Sequence, residues 1–171
     1  NYEGIRRANL VIENVPKIQG MNSDLQGRIL GEARFLRGYF YSILVRSFGD
    51  VVIVKNTSVD YSEQRSRTTK DVVWDEVIFP DLEFAIEALP EKSEFTEADF
   101  GRATKGAARA LLTRLYLYVG DFQNAEKYAL DVINSEEYQL EDSFSFAFSV
   151  DNIHGNESIF EIGATENQNY D

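Results

Sequence analysis

The chain has 171 residues, of which 43% are hydrophobic and 27% charged, and this is typical of a single globular domain with a sizeable core. Its formal net charge of −12 argues against nucleic acid and anionic lipid as partners, because both bind basic surfaces. With no cysteine and one histidine, the chain lacks the residues for disulfides, thiolate zinc sites or cysteine nucleophiles, and no metal or cofactor is predicted. No apolar run is long enough to cross a bilayer.

Two helices are predicted in the first part of the chain. The first covers Tyr2–Val15, and the second follows Asn22–Asp24, whose side chains can cap a helix N-terminus. Spacings of three and four residues place one continuous stripe along the second helix: Leu25, Ile29, Ala33, Leu36, Phe40, Ile43 and Ser47. Tyr41 and Val45 lie nearly opposite this stripe, so the helix is predicted to be sandwiched between neighbours.

A turn and a third helical region follow. Gly49 is predicted to end the second helix in a left-handed conformation, before a short strand or extended piece at Val51–Val54 and a polar loop over residues 56–69. Thr68 and Asp71 resemble a capping box that opens a helix over residues 72–89. Pro80 lies inside this pattern, where it predicts a kink or a break into two pieces. Trp74, near the start of the helix, is predicted to be buried.

A helical hairpin is predicted over residues 104–135. Thr104 can cap its first helix, and the inward positions of its two helices are predicted to be Ala108, Leu111, Leu112, Leu115, Val119, Phe122, Ala125, Ala129, Val132 and Ile133. The spacing of Tyr116, Gly120, Phe122 and Ala125 resembles the centre of a tetratricopeptide unit. The glycine permits a tight turn and the alanine permits close helix approach, but such a unit must stack on further helix pairs.

The final part of the chain has a different pattern. The helical periodicity fades after Tyr138, residues 144–148 alternate like a strand, and Ser158–Ile162 is predicted to be a short strand. The fold class predicted from the chain as a whole is therefore mainly α, with stacked tetratricopeptide-like hairpins, short β segments and long loops.

Four blocks together resemble the SusD/RagB family of outer-membrane nutrient-binding lipoproteins. They are ARFLRGYFYSILVRSFGDVVIV, SRTTKDVVWDEVIFPDLEFAIEALP, GRATKGAARALLTRLYLYVGD and NESIFEI, and their order and spacing carry the resemblance from about Arg6 to Ile162. The resemblance implies a tetratricopeptide-like helical domain wrapped by loops, with the second helix as its scaffold and that helix's arginines holding carbonyls or carboxylates. It also implies that residues 1–171 form one domain that is an internal fragment of a longer protein, because the family's lipid-modified cysteine and C-terminal region are missing.

The resemblance further implies a function and a location. It predicts non-catalytic capture of a nutrient, most often a glycan, at the cell surface of the outer membrane. The implied partner is a SusC-like TonB-dependent transporter. The family's ligand contacts lie in variable loops, so no contact residue is transferred from its motifs.

Three aromatic side chains in polar loops are the candidate ligand contacts. Tyr61 lies in the first long loop, and Phe95 and Phe100 lie in the acidic loop Glu91–Arg102. An aromatic residue in a polar loop has less reason to be buried than one on a helix. His154 could in principle bind a metal, but a polar turn is the preferred interpretation, since no second histidine accompanies it.

Two other functions remain open at this stage. A tetratricopeptide adaptor that binds peptides would explain Tyr116–Ala125 equally well, although it leaves the turn after the second helix and the NESIFEI block unexplained. A glycoside hydrolase is a more distant alternative, because paired carboxylates are common in so acidic a chain and are expected on solvated helix surfaces.

Overall fold

The computed structural model of the protein describes residues 1–58 and 65–162, which are mainly helical as predicted. The principal helices are α1 (Tyr2–Asn14), α2 (Ser23–Phe48), α3 (Lys70–Val73), α4 (Phe79–Ala88), α5 (Lys105–Val119), α6 (Phe122–Asn134) and the short α7 (Phe144–Ala147). A π-helical turn, Trp74–Ile78, joins α3 to α4, and 3₁₀ turns occur at Val15–Lys17, Lys92–Glu94, Glu97–Asp99 and Val150–Asn152. Helix α1 packs on α2, α2 on α4, α4 on α5 and α5 on α6, which gives a continuous stack of hairpins.

Helix α2 is sandwiched between α1 and α4, as the sequence predicts. Tyr41 is fully buried, whereas Leu25, a member of the predicted stripe, is 48% exposed, and Leu36 is exposed too. The predicted stripe is therefore only partly correct. Contact with α4 is made at small residues instead, since a Cβ on Gly38 would lie 3.1 Å from Leu82.

A buried polar cluster fastens α2 to its neighbours. Arg37 donates from Nε and Nη2 to the two carboxylate oxygens of Asp81 on α4, at 2.6 and 2.8 Å. Its Nη1 donates to Asn9 Oδ1 on α1 at 2.8 Å, and Asn9 donates in turn to the carbonyl of Val54 at 2.8 Å. The expectation that arginines of this helix hold carboxylates is confirmed at Arg37.

The loop after α2 departs from the prediction. Gly49 has a positive φ of 68° but a ψ of −120°, so it is not in the left-handed helical conformation. Thr68 is not a helix cap, because its backbone pairs with Val51 in an isolated antiparallel bridge, at 3.1 and 2.8 Å. Asp50 Oδ1 accepts from the backbone N–H of Lys70 at 2.9 Å and so takes a capping role at the start of α3. The prediction of a capping box at Thr68 and Asp71 is therefore wrong, because the bridge to Val51 uses the backbone of Thr68.

Pro80 changes the type of helix. Proline has no N–H to donate to the carbonyl four positions before it, so the regular hydrogen-bond pattern of an α-helix cannot be kept at Pro80. The structure instead has the π-helical turn, in which the N–H of Phe79 reaches back to the carbonyl of Trp74. Trp74 is buried and stacks on Phe79 at 5.7 Å between ring centroids. The helix therefore continues through Pro80.

The last hairpin is built by local signals. Thr104 Oγ1 accepts from the N–H of Ala107 at 3.1 Å, and Gly120 ends α5 with φ 81° and ψ 13°, the left-handed conformation. Ala125 is buried against α5, but Phe122 is 70% exposed and does not face inward as predicted. Tyr128 occupies the inter-helix position, where it stacks on Tyr116 at 5.7 Å. Val119 and Ile133, also predicted to face inward, are exposed.

The C-terminal part follows the stack without regular strands. Residues 144–147 form a single helical turn, not an alternating strand. Within residues 1–58 and 65–162, Val51–Thr68 is the only β-bridge, so the predicted strand at Ser158–Ile162 is absent there. In the same ranges no helix combines the length and apolar character that a membrane span requires.

Candidate functional site

An aromatic cleft of about 470 Å³ lies where helix α2, the loop Glu91–Arg102 and the C-terminal segment meet. Its lining residues, which define the aromatic cleft, are Leu36, Tyr39, Phe40, Phe100, Gly101, His154, Phe160, Glu161 and Ile162. Aromatic rings together with a few polar groups in a concave surface are typical of a small-molecule site.

The aromatic rings of this cleft are anchored on the core. Phe160 packs edge-on against the buried Phe35 at 5.1 Å, and Tyr39 stacks near the same ring at 6.5 Å. Phe100, on the loop Glu91–Arg102, is 51% exposed, and its ring lies 5.4 Å from that of His154. Because Phe160 and Tyr39 are held against the buried Phe35, a ligand does not have to assemble these two rings on binding.

Ion pairs hold the loop that carries Phe100. Arg28 on α2 donates to Asp99 and, at 3.2 Å, to Glu32, while Arg102 donates to Glu32 at 2.7 Å. Hydrogen bonds from Arg28 and Thr96 hold the pKa of the Asp99 carboxyl below its usual range. The loop is therefore tied to the scaffold helix by charge-assisted hydrogen bonds on both sides of Phe100.

His154 and Glu161 supply the polar groups of the cleft. His154 has a positive φ of 59° in a turn, and its backbone N–H donates to Glu161 Oε1 at 3.0 Å. Its Nδ1 lies 3.6 Å from Glu161 Oε2. Burial opposes ionisation of Glu161, but hydrogen bonds from Ser158 and His154 outweigh it and lower the pKa of the carboxyl. Within the described ranges, no group of three His, Cys, Asp or Glu side chains is placed to bind a metal.

Lys92 holds the turn that follows His154. Its Nζ donates to the carbonyls of Gly155 and Ser158 at 2.6 and 3.0 Å and lies 5.2 Å from the ring centroid of Tyr138. Burial lowers the pKa of this ammonium group. Sequence reasoning missed this residue, because a lysine in an acidic loop gives no local signal that it will bind carbonyls far along the chain.

The three predicted contact residues have different outcomes. Phe100 lines the aromatic cleft. Phe95 is half-buried, has Arg28 over its ring at 5.2 Å and faces an adjoining cavity of about 30 Å³, too small for a sugar. Tyr61 lies outside the described residues. Tyr39 and Phe160 were missed because both belong to patterns that predict packing, and only the tertiary structure brings them beside Phe100.

A second and larger cleft, of about 610 Å³, lies along the C-terminal segment. Its lining residues, which define the C-terminal cleft, are Ala147, Phe148, Ser149, Val150, Asn152, Ile153, Glu157, Ser158, Ile159, Phe160 and Glu161. Phe160 and Glu161 line both clefts, so the two sites adjoin.

Residues 1–117 match the SusD-like family described as "starch-binding associating with outer membrane". The chain belongs to this SusD-like family. The family resemblance predicted from the sequence is therefore confirmed.

Relatives and solved structures agree with this assignment. SusD-like protein P2 of Formosa agariphila is 34% identical over 167 residues, which cover 94% of this chain and 32% of that protein. The crystal structure of a SusD-like protein from Bacteroides fragilis has a TM-score of 0.86 at 26% identity, over 96% of this chain and 32% of that one. A laminarin-binding SusD-like protein has a TM-score of 0.84 at 29% identity, over 93% and 35%. The chain thus spans about a third of the length of these proteins.

Proposed function

We propose that this SusD-like chain takes part in non-catalytic capture of glycans at the cell surface, with the aromatic cleft as a binding site. The supporting observation is the placement of Phe100, Tyr39 and Phe160 around a preformed concavity with His154 and Glu161 at its edge. Aromatic faces pack against the C–H faces of pyranose rings, and polar side chains bind their hydroxyls. The family description and the laminarin-binding relative support the same ligand class.

The geometry favours binding over hydrolysis. A glycosidase of the usual kind needs two carboxyl groups across the scissile bond, one of them with a raised pKa so that it can act as an acid. Among the described residues that line the aromatic cleft, Glu161 is the only acid, and its pKa is lowered. Its carboxylate is also engaged with His154. Glu161 is therefore suited to accept hydrogen bonds from sugar hydroxyls, not to protonate a leaving group.

The wider assembly is part of the proposal. The chain would be an internal part of a longer outer-membrane lipoprotein that delivers its ligand to a SusC-like TonB-dependent transporter. The family description supports the outer-membrane location, and the length of the relatives supports the larger protein. Co-purification of the full-length protein with the transporter from outer membranes would test this partnership.

Titration of the full-length protein with a panel of glycans tests the ligand class. Laminarin, starch, xylan and mannan would be titrated into the wild type, Phe100→Ala and Phe122→Ala by calorimetry. Loss of one stacking ring is expected to weaken binding by roughly 2- to 12-fold in Phe100→Ala. The Phe122→Ala control removes a ring of similar exposure on α6 and is expected to bind as the wild type does. If no glycan binds the wild type, or both variants behave alike, the proposal is wrong.

A peptide-binding adaptor is the second candidate, and one observation favours it. Helix α6 exposes Phe122, Leu130 and Ile133, an apolar set that the described residues leave uncovered. A tetratricopeptide-like stack can bind peptides on such faces. Under this alternative, Ile133→Asp would abolish peptide binding and leave glycan binding unchanged, which a peptide array and the titrations above would distinguish.

A further inference from the structure

The C-terminal cleft is lined by both apolar and polar side chains. Phe148, which is 77% exposed, lines it together with the exposed Val150 and Ile153. Ser149, Asn152 and Glu157 lie among the same lining residues and offer hydroxyl, amide and carboxylate groups. This pairing of an exposed ring with hydrogen-bonding groups is what a pyranose requires, since its C–H face is apolar and its edge is polar.

The loop that bears Phe148 is closed at its base by hydrogen bonds. The N–H of Gln139 donates to the carbonyl of Asn156 at 3.1 Å. Glu141 Oε1 accepts from Asn152 Nδ2 at 3.1 Å and from the N–H of Asn156 at 3.0 Å, and the N–H of Glu141 donates to Glu157 Oε2 at 3.0 Å. The two ends of residues 139–157 are therefore fixed to each other by hydrogen bonds. A ligand would not have to order this loop on binding, which preserves affinity.

Several acids lie at or beside the cleft. Glu157 and Glu161 line it, Asp151 lies between the lining residues Val150 and Asn152 along the chain, and Glu141 accepts a hydrogen bond from Asn152. Residues 128–162 contain no lysine or arginine.

Two basic side chains of the loop Glu91–Arg102 lie near this segment, and both have partners. Lys92 donates to the carbonyls of Gly155 and Ser158, and Arg102, which lines the small adjoining cavity with Phe160 and Glu161, donates to Glu32. Carboxylates repel a like-charged ligand, and the repulsion strengthens where the site excludes water.

We propose that the C-terminal cleft is a second glycan site beside the aromatic cleft, and that it takes uncharged sugars in preference to those bearing uronate or sulfate groups. Stacking on Phe148 supplies the attraction, and the acids around the cleft supply the discrimination. Because Phe160 and Glu161 line both clefts, consecutive residues of one neutral glycan can reach both sites. This inference rests on the proposed function and specifies the class of glycan.

The test compares two variants of the full-length protein and two kinds of polysaccharide. The wild type, Phe148→Ala and Phe122→Ala would be titrated with the neutral glycan that binds most tightly and with polygalacturonate, at low and at physiological salt. Phe148→Ala is expected to lower the affinity for the neutral glycan by roughly 2- to 12-fold, and Phe122→Ala is expected to lower it by less than about 2-fold. Polygalacturonate is expected to bind several-fold more weakly than the neutral glycan at low salt, and this difference is expected to shrink at physiological salt because salt screens the repulsion. The affinity for the neutral glycan is expected to be independent of salt.

The outcomes separate this inference from the proposed function. If no glycan binds the wild type, the proposed function itself is wrong, and this inference with it. If Phe100→Ala weakens binding but Phe148→Ala binds as the wild type does, only the second site is wrong. If polygalacturonate binds as tightly as the neutral glycan, the predicted charge discrimination is wrong whatever the variants show.

Discussion

The helical stack and the C-terminal segment of this chain hold their shapes by different means. In the stack, side chains such as Leu82, Leu112 and Leu115 are fully buried, and the helices meet through apolar contacts and the buried ion pair of Arg37 and Asp81. In residues 139–162, large apolar side chains such as Phe148 and Val150 are exposed, and the backbone is fixed by carboxylate hydrogen bonds. The comparison indicates that apolar burial stabilises the stack, whereas hydrogen bonds to carboxylates fix the segment.

A large loss of stability is expected when the buried ion pair is broken. Arg37→Ala would leave the Asp81 carboxylate buried, without the two hydrogen bonds that it accepts from that guanidinium. The free energy of unfolding is expected to fall by about 3 kcal/mol in urea titrations, at the lower end of the range for a broken buried ion pair, because Arg34 Nη1 remains 3.6 Å from Asp81 Oδ1. Arg7→Ala, which removes an exposed arginine from the neighbouring helix, is the control and should change it by less than about 0.5 kcal/mol. Equal effects of the two variants would contradict the assigned role of the pair.

Truncation of apolar side chains should distinguish the two regions next. Leu112→Ala creates a cavity in the stack and is expected to destabilise the protein by about 2–5 kcal/mol. Phe144→Ala removes a larger but exposed side chain from the C-terminal segment, and a change within about 0.5 kcal/mol is expected. Chemical denaturation of both variants measures the difference. A loss of similar size for Phe144→Ala would show that the segment is also stabilised by apolar packing.

Two glycines should respond to alanine with opposite signs. Gly120 has a left-handed backbone conformation, so Gly120→Ala is expected to cost about 1–2 kcal/mol, although no atom lies within 4 Å of the added Cβ. Gly27 lies within α2 and also has open space around a Cβ, so Gly27→Ala is expected to stabilise by roughly 0.5–1 kcal/mol. Thermal unfolding of both variants provides the comparison. Stabilisation by Gly120→Ala would contradict the geometry of the hairpin turn.

Acid should loosen the loop that carries Phe100 before it unfolds the stack. Because Arg28 and Thr96 lower the pKa of Asp99, the anchor is fully present above the carboxyl's ordinary pKa of about 3.8 and is lost as the pH falls through the lower, folded value. Hydrogen exchange of residues 96–102 is expected to be constant from pH 7 to about 4, after correction for the intrinsic rate, and faster below it. In Asp99→Asn the fast exchange should be present at every pH, and a wild-type profile in that variant would contradict the assignment.

Local signals explain which parts of the fold could be predicted from the sequence. Asn22, Thr104 and Gly120 act through hydrogen bonds or dihedral angles within a few residues, and their roles in the helix ends follow from sequence patterns. Thr68 and Phe122 differ, because a bridge to Val51 and the arrangement of the last hairpin decide their positions. Sequence spacing does not contain those tertiary contacts. The predicted capping role of Thr68 and the predicted inward position of Phe122 were therefore wrong.

The same distinction applies to the candidate site. Phe100 could be proposed from the sequence, because an aromatic residue in an acidic loop lacks an evident packing role. Tyr39 and Phe160 could not, since one belongs to a helix and the other to an apparent strand, and they meet only through Phe35 in the core. The C-terminal cleft could not be predicted either, because the alternation of residues 144–148 predicts a strand, whereas the structure has a helical turn there and exposes Phe148.

Hydrogen exchange of the full-length protein with and without saturating neutral glycan tests the central claim most directly. The claim is that the stack is a scaffold and that ligands bind at the loops and the C-terminal segment. The predicted result is new protection in residues 92–102 and 147–161, with exchange in α5 and α6 unchanged. New protection confined to the outer face of α6, with none in those two segments, would contradict the account and favour the adaptor.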